Sequence, residues 1–171
     1  MVKGHFTEAI TTLSPLVHKD NPHALYLMGC IYLNPKSTHL NYQKGISLLE
    51  RAVYLNYAPA IDELAGLYLA GEGVEKNEAK ALHYYIQASY IGYGPSQFNC
   101  GIMYKEGLGC EKDPVKAYLY LCLASLNHKD LDDLTLDAAK YRDEVAPLLT
   151  PAQRQGVLSQ VNSLTLPHEY K

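Results

Sequence analysis

Apolar residues recur along this chain in two interlocked rhythms. Within segments they fall three and four positions apart, the spacing that lines one face of an α-helix. Between segments the whole pattern returns every 36 residues. Tyr32, Tyr68 and Tyr104 share one position. So do Ala24, Ala60 and Ser96; Met28, Leu64 and Cys100; Gly29, Ala65 and Gly101; and Ala52, Ala88 and Ala124. A fixed period of this length marks stacked structural repeats. Three copies follow without insertion, at 22–57, 58–93 and 94–129.

Each copy reads as helix A, turn, helix B. In the middle copy the pattern predicts helix A over 58–70 and helix B over 78–90. Gly71 and Gly73 stop helix A, because glycine takes the left-handed conformation that closes a helix. Gly107 and Gly109 repeat that stop, whereas Pro35 and Ser37 replace both glycines in the first copy and predict a different turn. Asn41, Asn77 and Asp113 recur as N-caps, whose side-chain oxygen accepts from an orphan backbone N–H. The small residues at 29/65/101 and 52/88/124 predict close helix approach, and the tyrosine column predicts a large amphipathic filler.

The pattern runs on beyond the three copies. Phe6, Ile10, Leu13 and Val17 align one period before Tyr42, Ile46, Leu49 and Val53, so a lone helix-B-like half-repeat is expected over 5–20. Leu134, Ala138, Tyr141, Val145 and Leu148 predict an amphipathic capping helix within 130–149. Thr150-Pro151-Ala152-Gln153 forms a capping box that opens a last helix over 151–164, with Val157, Leu158, Val161 and Leu164 on its apolar face. The expected fold is all-α: one domain over 1–171, an α-solenoid with a right-handed superhelical curve, its ends covered by capping helices that shield the terminal repeats.

Charge narrows the function classes. The net charge is −3, from 15 Lys and Arg against 18 Asp and Glu, and neither sign forms a long run. A nucleic-acid binder needs a basic stripe to displace phosphate counterions, so none is expected as partner. No stretch of about 20 apolar residues exists to span a membrane. No signal peptide is visible, which favours the cytoplasm, with a periplasmic or exported location if the chain is a processed fragment.

The residues quoted above resemble the Sel1-like repeat family, a cousin of the tetratricopeptide repeats. The middle copy carries Leu64-Ala65-Gly66-Leu67-Tyr68, Gly71-Glu72-Gly73-Val74, Lys80-Ala81, Tyr84-Tyr85 and Ala88; the third carries Gly101-Ile102-Met103-Tyr104, Gly107-Leu108-Gly109, Lys116-Ala117 and Ala124. The resemblance implies a scaffold or adaptor that binds a protein or peptide, of the kind found in bacterial exported, secretion and quality-control proteins. A cysteine-rich subgroup binds or hydrolyses β-lactams and bridges helix A to helix B with cysteine pairs. Here the helix B end positions are Ala52, Ala88 and Ala124, which sets this chain apart from that subgroup. The alternatives to a binding scaffold are that enzyme type and a structural or oligomerising spacer.

Candidate chemistry adds little to this picture. The four cysteines, Cys30, Cys100, Cys110 and Cys122, form no CxxC pair, and they read as reduced packing residues. A bridge between helix A and helix B would join Cys100 to Cys122. The seven histidines are scattered, and His5, His18, His23, His39, His83, His128 and His168 read as surface or structural groups. The acidic pairs Asp62-Glu63, Asp132-Asp133 and Asp143-Glu144 read as solvated faces, because neighbouring helical residues do not face each other. No cofactor, metal site or catalytic residue is expected.

The expected site is instead a surface. Helix A lines the concave side of such an array, and its core-facing residues in the first copy are 24, 25, 28, 29 and 32. The remaining stripe reads Tyr26, Cys30 and Leu33 in the first copy, Asp62, Gly66 and Leu69 in the second, and Phe98, Ile102 and Lys105 in the third. These columns vary between copies, so they are free to carry partner recognition. Two aromatics, several aliphatics and one charge of each sign suit an apolar peptide or helix laid along a groove. Lys80 and Lys116 are expected on the exposed convex side.

Overall fold

The computed structural model describes residues 3–126 and 133–165. His128, Asp132, His168 and the tail 167–171 lie outside the described residues. Among those described, the chain forms nine α-helices and no strand. They are α1 (Lys3–Val17), α2 (Pro22–Leu33), α3 (Tyr42–Tyr54), α4 (Ala58–Ala70), α5 (Glu78–Tyr90), α6 (Gly94–Glu106), α7 (Pro114–Leu126), α8 (Asp133–Val145) and α9 (Pro151–Thr165). The A helices α2, α4 and α6 lead through short turns to the B helices α3, α5 and α7. Both helices of the middle copy begin and end where the pattern places them. Contacts gather the chain into two compact units, Met1–Tyr84 and Tyr85–Lys171.

In the first unit the core is built on Leu25, Leu49, Ile61 and Leu64, all fully buried. The small columns allow the close approach that the pattern implied. A methyl group on Gly29 would sit 3.0 Å from Leu49 Cδ2, and one on Gly45 would sit 2.6 Å from Leu33 Cγ. In the second unit Leu121, Cys100 and Met103 take the same role, and a methyl on Gly101 would stand 2.6 Å from Leu121 Cγ. There α8 packs on α7 and reaches α6, while α9 packs on α7.

One latch joins helix A to helix B in every copy. The backbone N–H groups of Asn41, Asn77 and Asp113 donate to the carbonyls of Tyr32, Tyr68 and Tyr104 at 2.7, 2.8 and 2.9 Å. Their side chains accept from the N–H groups of Lys44, Lys80 and Lys116 at 2.9, 2.9 and 3.0 Å. The same lysines then fold back over the tyrosine rings, 4.3, 4.1 and 5.0 Å from the centroids. Each contact is modest: a cap contributes about 1 kcal/mol and an exposed cation–π pair about 0.5–1 kcal/mol. Together they set where helix B starts relative to helix A. Asn77→Ala is expected to lower stability by about 0.5–2 kcal/mol, read as a shifted denaturation midpoint at unchanged slope. Lys80 and Lys116 are exposed as expected, yet they belong to this latch and are poor choices as neutral surface controls.

The turns follow the glycine pattern. Gly71 and Gly107 close their helices with φ of 77°, and Gly73 and Gly109 follow at 70°. A side chain on Gly73 would run into Tyr42, so this glycine also lets successive repeats of the first unit touch. The first copy does differ: α2 ends at Asn34 in extended conformation, and the turn is held by Ser37, whose N–H donates to Asn34 at 2.9 Å. Helix B has its own stop at Asp20, Asn56 and Gly92, with φ of 53°, 55° and 85°. These three also lie 36 residues apart, and Asp and Asn are the non-glycine residues that tolerate this conformation best.

The C-terminal part brings two corrections. Leu148 was expected on the buried face, but it is 68% exposed and Leu149 is buried in its place. Pro147 cannot continue the helix, and the chain tightens into a 3-10 turn over Ala146–Leu148 that shifts the phase. In α9 only Val157 and Val161 of the expected face are buried, while Leu158 and Leu164 remain exposed. The capping box itself forms: Thr150 N–H donates to Gln153 Oε1 at 2.9 Å, and Gln153 N–H donates to Thr150 Oγ1 at 3.2 Å.

Candidate functional site

In the first unit the stripe residues Tyr26, Cys30, Asp62, Gly66 and Leu69 are half-buried. The ring of Tyr26 lies 5.7 Å from that of Tyr57, at the start of α4. The Tyr57 hydroxyl in turn is 2.7 Å from His23 Nδ1. Cys30 feels the charge of Glu63, so this edge of α2 looks toward α4. Burial first, and Glu63 second, push the Cys30 thiol up to about 11. Glu63 is itself held above the usual carboxylate range by burial and then by the charges of Asp62 and Glu72. A thiol so raised is protonated at neutral pH and is a poor nucleophile. Leu33 departs from the expectation. It is buried against the bare backbone of Gly45 in α3, and belongs to the core rather than to a groove.

In the second unit the stripe is engaged by another helix of the chain. Phe98 meets Tyr141 of α8 edge to face, with ring centroids 5.7 Å apart. Lys105 pairs with Glu144 at 3.1 Å and lies 4.8 Å from the centre of the Tyr141 ring. Ile102 is half-buried on the same helix. Thus the unit brings Phe98 and Lys105, two turns apart on α6, together with α8.

All four cysteines are free thiols, Cys100 and Cys122 buried and Cys30 and Cys110 half-buried. Burial raises Cys110 and Cys122 as well. Cys110 plugs its turn with Sγ 3.9 Å from the Met103 carbonyl. Among the described residues no three metal-ligating side chains converge.

Sequence reasoning missed one column. Tyr54, Tyr90 and Leu126 close the B helices at the same register and stand 87%, 84% and 59% exposed. This column points outward although the repeat fixes its register. The signal was its place outside the apolar face of α3. A hollow of about 350 Å³ in the first unit is walled by Glu50, Arg51, Tyr54 and Leu55. A larger one, about 630 Å³, lies in the second unit beside Tyr90 and Leu126.

Comparison with known proteins bears on the fold. A protective antigen of uropathogenic Escherichia coli that displays an SLR fold superposes with a TM-score of 0.78 and 24% identity. The match covers 91% of this chain and 32% of the antigen, so the chain spans about a third of that protein's length. A Sel1 repeat protein from Oxalobacter formigenes gives a TM-score of 0.68 and 24% identity, covering 79% of this chain and 97% of the other. No match was found among curated proteins. The profile of the Sel1 repeat matches residues 22–57, 58–93 and 94–128. Those three consecutive copies make up most of the sequence, and the chain belongs to the Sel1 repeat family.

Proposed function

We propose that this protein is an interaction scaffold that holds a helical segment of a partner protein against its A helices. The observation that supports this most is the behaviour of the stripe in the second unit. There Phe98 and Lys105, two turns apart on α6, hold a helix of the chain itself, α8, by one ring contact and one ion pair. The matching positions of the first unit, Tyr26, Cys30, Asp62 and Leu69, differ in chemistry from copy to copy and are only half-buried. Core columns stay fixed because the fold depends on them, whereas these positions vary and are free to select a partner. The partner chemistry that fits is an amphipathic helix with an apolar or aromatic anchor for Tyr26 and Leu69.

The test is affinity capture from the native host with the full chain and with Tyr26→Ala/Leu69→Ala. The double variant is expected to lose about 2 kcal/mol of binding, roughly 30-fold. Gln43→Ala/Gln155→Ala, on exposed positions of α3 and α9, should bind as the parent does. If the second pair weakened capture and the first did not, the partner would use the outer face and the proposal would fail.

A further inference from the structure

The larger hollow has features of a built site. It sits wholly within the second unit, where the end of α5 and the start of α6 meet α7 and α9. Its volume, about 630 Å³, falls in the range of about 300–1,000 Å³ typical of small-molecule sites. The apolar side chains that could close it by turning inward do not do so. Leu126 and Leu164 stand at its rim 59% and 62% exposed, and Tyr90 is more exposed still. Further in, Leu119 and Leu123 continue an apolar wall.

Among the described residues the polar groups of the hollow are all uncharged. Gln97 is 3% exposed, and its side-chain amide donates to the Ser89 carbonyl across a long 3.4 Å. Ser89, Tyr120 and Gln160 also line the hollow. Burial holds the Tyr120 phenol, which is hydrogen-bonded to Ser89, well above its usual range, so it stays neutral. No Asp, Glu, Lys or Arg lines the hollow among the described residues. An ion placed there would lose its water without a countercharge, at a cost of several kcal/mol. A neutral molecule meets no such penalty and gains from the leucine wall.

We infer that this hollow binds an uncharged, mainly aromatic or aliphatic small molecule, its apolar body against the leucine wall and its polar end toward the Gln97 and Tyr120 side. The site is separate from the A-helix surface proposed above and does not depend on it.

Titration of the full chain with Nile red, a neutral solvatochromic dye, tests this. Saturable binding of one dye per chain with blue-shifted emission is expected. Leu126→Arg/Leu164→Arg should weaken it about tenfold or more, and these rim positions are exposed enough for the helical signal to survive. Tyr54→Arg removes the equivalent exposed ring in the first unit and should leave dye binding unchanged. The anionic dye ANS should bind at least about tenfold more weakly than Nile red. Absence of saturable binding, equal loss in Tyr54→Arg, or equal affinity for the anionic dye would overturn the inference. So would binding that appears only after residues 166–171 are removed, because the chain's own segment would then be the occupant.

Discussion

Gly101→Leu should destabilise the protein by about 3 kcal/mol, near the upper end for an overpacked core, and lower Tm by roughly 6–12 °C. The reason is local and geometric. A methyl at this position already falls 2.6 Å from Leu121 Cγ, 2.8 Å from its Cδ2 and 3.3 Å from its backbone nitrogen. Leu121 is fully buried, so it has nowhere to go, and its nitrogen is held in α7. Relief therefore requires α6 and α7 to part along their length, which exposes the core that joins them. Gly156 supplies the control. It lies in α9 with nothing within 4 Å of an added methyl, and Gly156→Ala should stabilise by about 0.5–1 kcal/mol. Thermal denaturation of the two variants decides the matter. If Gly101→Leu melted with the parent, the small-residue column would not mark a tight helix contact.

Phe98 is half-buried, so Phe98→Ala should cost about 2 kcal/mol, less than the roughly 3–5 kcal/mol lost with a fully buried phenylalanine. Its ring meets Tyr141 edge to face, and without it α8 keeps the Lys105–Glu144 pair and the Lys105–Tyr141 contact against α6. Amide hydrogen exchange should therefore quicken in α8 while α2 and α3 in the first unit keep their protection. From sequence this phenylalanine reads as a groove residue whose loss the fold would tolerate, or as one covered by the terminal helices; the structure shows the second, with α8 on it. Unchanged exchange in α8 together with lost partner binding would restore that first reading.

The ends of the A helices in the second and third copies, and the starts of the B helices, were legible because each is marked by chemistry that works locally. Glycines at 71 and 107 and caps at 41, 77 and 113 act through their own backbone, so no knowledge of neighbours is needed. The candidate site was less legible because exposure is decided by what packs on a residue. Leu33 shows this well. It shares a helical stripe with Tyr26 and Cys30, yet Gly45 leaves a notch in α3 that its side chain fills. Leu148 shows a different limit: a single proline shortened α8 and moved burial to the next residue. The Asp20, Asn56 and Gly92 column was readable in principle, but three different residue types concealed one shared left-handed backbone.

The latch between each tyrosine and its lysine has a kinetic consequence. In the middle copy the Lys80 ammonium donates to the Tyr68 hydroxyl across only 12 positions of sequence. Closing a loop of that length takes about 10–100 ns, and helices grow at about a nanosecond per residue. Every A–B hairpin can thus reach its native alignment before distant parts of the chain have met. The Arg51–Asp20 pair, 31 positions apart, joins α3 to the end of α1 and must wait for a slower encounter. Refolding should then show a fast phase in which tyrosine environments recover hairpin by hairpin. A later phase follows as the hairpins stack, and raising the denaturant concentration should slow that second phase more than the first, because it buries more surface.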